Sequence, residues 1–167
     1  MELYEALKAR GSVRAYRPDP VEEEKLQRVL EAARIAPSAA NRQPWHFYVV
    51  REPETRAELM QAYAQKWFVE APVIICACTR PEEAWQRRDD KNYADVDLSI
   101  AMDHLILAAT AEGLGTCWIG AFKPEKLREV LAIPPQLEPV ALTPLGYPAS
   151  EPKPTTRKSL DQIVEYR

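Results

Sequence analysis

The chain has 167 residues and a mass of 19.0 kDa, the length of a single domain, and with 46% hydrophobic and 28% charged residues it can bury a core and is neither disordered nor fibrous. A net charge of −3 and a pI near 5.5 exclude nucleic acid or an anionic membrane as the main partner, so any bound anion must be met by a local cluster of Arg or Lys. The 3 Cys are too few for a disulfide framework and point to a reducing compartment, the 5 Gly leave little for a glycine-rich phosphate loop, and the 15 Pro fix many segment ends.

In chain order, MELYEALKARG lacks the apolar stretch of a signal peptide and reads as a short helix over residues 2–9, with Leu3, Ala6 and Leu7 at helical spacing. The next helix is expected to open with Asp19 as N-cap, Pro20 at its first position and Glu22 closing a capping box. Leu26, Val29, Leu30 and Ala33 mark its buried face, and Pro37 ends it. Residues 45–50 read as a strand, 54–67 as a helix with Leu59, Tyr63 and Trp67 four apart, and 73–79 as a second, central strand. Residues 80–93 are charged, lack a period, and are expected to be loop or irregular helix. From Val96 to Glu112 the chain is apolar nearly all round, which predicts a helix inside the molecule. Gly113 and Gly115 stop it, and a strand over 116–122, a helix over 124–131 and a last core strand over 140–145 follow. Residues 148–154 form a proline-rich arm, after which Leu160, Ile163 and Val164 predict a terminal strand that needs a distant pairing partner. The longest apolar stretch, Leu98 to Ala111, is shorter than the roughly 20 residues of a membrane span, so a cytoplasmic protein without membrane or nucleic-acid partners is expected.

Most standard catalytic signatures are absent. GLGTCWIG carries Trp118 where a dinucleotide fingerprint needs its third glycine and follows a helix instead of a strand, and no Walker loop, HExxH or GxSxG is present. Cys76 and Cys78 share a strand face without a second pair to complete a zinc site, so no metal is expected. His104 beside Asp103 reads as a core histidine, and His46 as a strand residue. Three segments remain. Arg10, Ser12 and Arg14 alternate after the first helix, and in extended backbone they point to one side as an anion cradle. Arg157 and Lys158 stand among the hydroxyls of Thr155, Thr156 and Ser159. In PSAANRQPW the amides Asn41 and Gln43 offer donors and acceptors suited to a flat polar ring. A solvated basic turn at each end and an Asx-type turn between them are the alternative readings.

RGSVRAYRPDPV, APSAANRQPWHFYVV, GLGTCWIGAF, ALTPLGYP and TTRKSLDQIV, in that order, resemble the nitroreductase family of FMN-dependent oxidoreductases. The resemblance implies an α+β fold: a mixed, mostly antiparallel sheet flanked by helices around a buried central helix, in an intertwined homodimer. Residues 1–167 would form one FMN-binding domain whose arm, about 148–167, packs on the partner subunit. By position, Arg10, Gly11 and Ser12 match the part that holds the FMN phosphate and ribityl chain, Arg14 a cation that tunes the ring, and Arg157 a phosphate-binding arginine. Pro37, Ser38, Ala39, Asn41 and Gln43 match a loop that reaches the flavin from the other subunit; Trp118, Ile119, Gly120 and Ala121 match backbone against the ring, and Lys66 a lysine that contacts it. Gly11 replaces a bulkier residue, Thr155 stands where some members carry a second phosphate lysine, and the segment between Thr79 and Ala94 is short for the family. The implied activity is hydride transfer from NADH or NADPH through FMN to a nitroaromatic, quinone or similar small-molecule acceptor by a ping-pong mechanism, with no side-chain nucleophile. The alternatives are other flavin chemistry on this fold, such as reductive dehalogenation or flavin fragmentation, and a flavin-binding carrier or sensor without turnover.

Overall fold

The computed structural model describes residues 1–152 and 155–167; Lys153 and Pro154, inside the expected arm, lie outside the described residues. The described residues form six α-helices and four strands: α1 (Leu3–Ala9), α2 (Glu23–Arg34), β1 (Trp45–Val50), α3 (Pro53–Glu58), α4 (Lys66–Glu70), β2 (Val73–Thr79), α5 (Ala94–Ala111), β3 (Gly115–Thr116), α6 (Pro124–Leu131) and β4 (Glu138–Gly146). The sheet runs β1-β2-β4-β3 with every neighbouring pair antiparallel, and a parallel bridge from Ser12 to Thr116 makes its β3 edge mixed.

Alternation along β2 sorts the two cores. Val73, Ile75 and Ala77 face α2 and α5, packing with Val29, Leu98, Met102 and Leu105, whereas Ile74, Cys76 and Cys78 face Leu59, Phe68 and Leu127. Each fully buried large side chain contributes roughly 1.5–3 kcal/mol. Cys76 and Cys78 touch through their sulfurs at 3.6 Å inside the second core, where their mutual hydrogen bond and burial hold the Cys76 thiol above its usual range. The sheet and α2 cover one side of α5; Val96, Ser99 and Asp103 on the opposite side are exposed and Ile100 is half-buried. No helix of the described residues is long and apolar enough to cross a membrane.

Four local expectations are corrected. α2 starts at Glu23 with Glu22 as the extended cap, and Asp19 pairs with Arg17 at 3.1 Å instead of capping. The reason is Val21: buried with Leu26 in the same cluster, it closes a hydrophobic staple that sets the entry of the chain. The helix expected over 54–67 breaks into α3, a 3-10 turn at Leu59–Gln61, and α4. The carbonyl of Ala62 accepts the N–H of Lys123 at 2.9 Å instead of continuing a helix, and the bend buries both Leu59 and Phe68. The strand expected over 116–122 is a ladder only at Gly115–Thr116 with a later bridge at Ile119 to Leu142. At that register Pro144 lies opposite Cys117 and has no N–H to give the Cys117 carbonyl, while the Thr143 hydroxyl intervenes, accepting the Cys117 N–H at 3.2 Å and donating to the Pro144 carbonyl at 3.0 Å. The terminal strand is absent in a single chain: Leu160–Gln162 is a 3-10 turn, and Leu160, Ile163 and Val164 are exposed. Residues 80–93 form turns closed by a bridge between Gln86 and Asn92, with Trp85 edge-on to Tyr93.

Candidate functional site

Residues 12–16 run extended along the β3 edge because Val13 and Tyr16 are apolar and buried there. The Val13 N–H donates to the Thr116 carbonyl at 2.8 Å, and Ala149 and Arg17 tie the segment to the chain leaving β4 through Ala149 N–H to Ala15 O and Arg17 N–H to Tyr147 O, both 2.9 Å. Tyr16 donates its hydroxyl to the Val13 carbonyl at 2.8 Å, and burial pushes the phenol pKa far up, so it stays a donor. Gly115 makes this approach possible, since a Cβ there would sit 2.7 Å from Val13 Cγ2. With Val13 turned inward, Ser12 and Arg14 are left exposed on the other side.

The C-terminal arm returns to the same place. Ser12 and Arg14 line a cavity of about 430 Å³, Arg10, Gly11 and Arg157 line an adjoining one of about 690 Å³, and Glu151, Pro152 and Thr155 border both. The chain thus brings its two basic segments, far apart in sequence, around one space. Pro152 packs directly on Gly11, where any side chain would collide with it, which accounts for the small residue at that position. Arg157 is turned onto its own arm, donating to Thr155 Oγ1 at 2.5 Å and to the Thr156 carbonyl at 3.1 Å. The donor set of guanidiniums and hydroxyls fits a monophosphate, with the Glu151 carboxylate as the one opposing charge on the border among the described residues.

The other expected residues sit elsewhere. Trp118, Gly120 and Ala121 continue from the Ser12–Thr116 bridge and are exposed, Trp118 at 41%, while Ile119 is buried against Leu142. Lys66 borders neither cavity; its Nζ is 3.6 Å from Glu70 on α4. Loop 37–43 lies diagonally across the sheet. It feeds β1 at Trp45, opposite Thr79, whereas the cradle joins β3 and the end of β4 at Gly146, one residue beyond the Leu145 that faces Val73. The length of β2 and three strand spacings separate them, roughly 20 Å along and 14 Å across. One chain cannot bring Asn41 and Gln43 to its own cradle.

This loop is strained. Ala40, Asn41 and Gln43 have φ of 51°, 53° and 50°, a left-handed conformation that costs roughly 1–2 kcal/mol for a residue such as Ala or Gln. It is held by Gln43 N–H to Ser38 Oγ and by Ala39 N–H to Asp97 Oδ1, both 2.9 Å. Asp97, Pro152 and Glu151 were not singled out by sequence reasoning. Asp97 carried a signal, an acid at helical spacing with the apolar Ala94, Ala101 and Leu105, while the other two stand in a polar, proline-rich stretch without any.

A groove of about 670 Å³ lies between α2 and the β1 edge, lined by Leu30, Trp45, Phe47 and Val49 together with Arg28 and Arg34. No group of three His, Cys, Asp or Glu among the described residues is arranged to hold a metal.

A model of the nitroreductase family matches residues 7–70 and 57–147. An NADH dehydrogenase from Thermus thermophilus is 35% identical over 193 aligned residues that cover 97% of this chain and 94% of that protein. The crystal structure of a nitroreductase family protein from Clostridium difficile superimposes with a TM-score of 0.91 at 38% identity, covering 99% of this chain and 98% of the other. An FMN-dependent nitroreductase from the same species superimposes at 0.81 with 30% identity and 96% coverage of both chains.

Proposed function

The chain belongs to the nitroreductase family, and on that premise we propose that it is an FMN-dependent oxidoreductase that takes hydride from NADH or NADPH and reduces a nitroaromatic, quinone or similar small molecule by a ping-pong mechanism. The observation that carries the reading is the convergence of Arg10, Ser12, Arg14 and Arg157 on adjoining cavities bordered by the Thr155 hydroxyl. Arg10, Gly11, Ser12 and Arg157 would hold the phosphate end of the cofactor, and Arg14 would stand toward its ring. When bound, FMN supplies the hydride and electron chemistry. The chain supplies position and charge: the guanidiniums neutralise the phosphate, the arm seated on Gly11 closes the cradle, and the 118–121 segment, exposed at Trp118, Gly120 and Ala121, forms the adjacent wall.

A homodimer is part of the proposal, since the 37–43 loop reaches a cradle only from a second copy. Two features of the single chain support it: the open groove along β1, and an arm whose Leu160, Ile163 and Val164 have no core of their own. In the dimer the arm, about 148–167, packs on the partner while its first residues close the cradle.

The test is direct. Acid release from the purified protein, followed by chromatography, is expected to yield FMN, and anaerobic mixing with NADH and NADPH separately should bleach the yellow protein rapidly with at least one of them. Recovery of FAD, or no flavin after reconstitution, overturns the cofactor assignment; bound FMN that neither nicotinamide reduces makes the protein a carrier.

Arg14 gives a separable expectation. A positive charge about 4 Å from the ring favours the more negative redox state by roughly 1 kcal/mol under full solvent screening and up to about 3 kcal/mol when partly shielded. With about 30 mV per 1.4 kcal/mol for a two-electron couple, Arg14→Leu should lower the FMN midpoint by about 20 to 65 mV. Spectroelectrochemical titration measures it, and an unchanged potential with full flavin content removes Arg14 from the ring.

A further inference from the structure

Among the described residues, the buried side-chain polar atoms without a partner are Asp97 Oδ2 and Thr79 Oγ1. Asp97 is 1% exposed and sits in the first turn of α5, the helix whose other residues on that side are apolar. A buried carboxylate with one idle oxygen is costly and calls for a reason. The positive end of the helix is an insufficient one, because Asp95 occupies the same turn and serves it from solvent without desolvation.

The oxygen that is engaged gives the reason. Asp97 Oδ1 accepts the backbone N–H of Ala39 at 2.9 Å, across 58 residues of sequence. The next residues, Ala40, Asn41 and Gln43, hold the left-handed conformations that the backbone would leave if released. The remaining described hydrogen bonds that shape the turn join it to itself or to the start of β1: Asn41 N–H to Ser38 O, Arg42 N–H to Ala39 O, Gln43 N–H to Ser38 Oγ, Gln43 Nε2–H to Asn41 O, and Trp45 N–H to Gln43 O. Its tail is anchored separately, by Arg80 N–H to the Pro44 carbonyl at 2.8 Å. The Asp97 carboxylate is therefore the described hydrogen bond that ties the head of the turn to the rigid α5–sheet core.

We propose that Asp97 is a positioning residue: it holds the strained Ala39–Gln43 turn in the orientation in which Asn41 meets the flavin of the partner subunit. This rests on the dimeric flavin-site reading above. It differs from a core-stability role in a measurable way, since a residue that acts through Asn41 loses its influence on flavin binding when Asn41 is already gone.

The experiment is a fluorescence titration of apoprotein with FMN for Asp97→Ala, Asp97→Asn, Asn41→Ala and the Asp97→Ala/Asn41→Ala pair. Asp97→Ala and Asn41→Ala are each expected to raise the FMN Kd about ten-fold, the pair to raise it no further than the larger single effect, and Asp97→Asn, which keeps a carbonyl acceptor for Ala39 N–H, to stay within about two-fold of the parent. Ala39→Pro removes the same hydrogen bond from the loop side and leaves the α5 core intact; Ser38 before it is already extended, as proline requires, and the variant should match Asp97→Ala. This second route keeps the proposal testable if Asp97→Ala fails to fold. Additive effects in the pair, or an unchanged Kd in both Asp97→Ala and Ala39→Pro while Asn41→Ala weakens binding, overturn the positioning role and leave the site reading standing. An unchanged Kd in Asn41→Ala removes Asn41 from the flavin site, and the proposal with it.

Discussion

Arg10→Leu and Arg157→Leu are each expected to weaken FMN binding by about 10- to 100-fold, and the pair by about 50- to 1000-fold. Hydrogen bonds to a charged group contribute about 1.5–3 kcal/mol each, and every 1.4 kcal/mol is a factor of ten. The two guanidiniums border one cavity, so they share a phosphate and the pair should fall short of the product of the single effects. Both face solvent at least in part, so the loss should shrink as salt rises. Glu151 borders the same space with the opposite sign, and Glu151→Gln should tighten binding by a few fold. Flavin-fluorescence titrations at low and high salt check all of these. Riboflavin, which lacks the phosphate, is the control: its affinity should be nearly the same for the parent and for Arg10→Leu/Arg157→Leu, and an equal loss for both ligands would place these arginines away from the phosphate.

Gly115→Val should cost about 1–3 kcal/mol of stability and release the cradle at the same time. A Cβ on Gly115 meets Val13 at 2.7 to 3.0 Å on three of its carbon atoms, and Val13 is 4% exposed, so it has nowhere to go without moving the backbone that carries Ser12 and Arg14. For a domain of this size the loss corresponds to a fall in Tm of roughly 2 to 12 °C. Thermal unfolding of the apoprotein reads the first effect, and FMN titration well below the transition reads the second. Adding Val13→Ala to a Gly115→Ala chain should recover part of both, because it removes two of the three clashing carbons. A Gly115→Val protein with unchanged FMN affinity would show that the position of the 12–16 segment does not matter for binding.

The sequence by itself determined much of the scaffold. Apolar patterning and its punctuation located α1, β1, β2, α6 and the greater part of α5: apolar spacing for α1 and β1, continuous apolar runs for β2 and α5, and a leading proline for α6. It also isolated the residues of the cradle, since alternating Arg, Ser and Arg beside a helix end is a pattern readable without contacts. Where it missed, the deciding partner was distant in the chain. Val21, buried against the α2 core, overruled the proline-led start of α2; the Lys123 N–H bent the helix expected through Ala62; Pro144 on β4 cut short the strand after Thr116. A local pattern holds no information on which backbone groups a remote segment will take or leave unpaired.

Only the tertiary structure decided how the candidate residues are distributed. It gathered Arg10 and Arg157 from opposite ends of the chain around one cavity, and it sent loop 37–43 to the far corner of the sheet, a division that strand order and register fix. It also showed that α5, apolar nearly all round in sequence, has one side covered by its own chain and one side open. Hydrophobicity measures the free energy of leaving water and does not name the surface that replaces it, so cover by the same chain and cover by a second copy look alike until the chain is folded. The Asp97 carboxylate is the sharpest case: an acid on the buried side of a helix reads as an exception, and only the Ala39 N–H brought within 2.9 Å of it turns the exception into a tie.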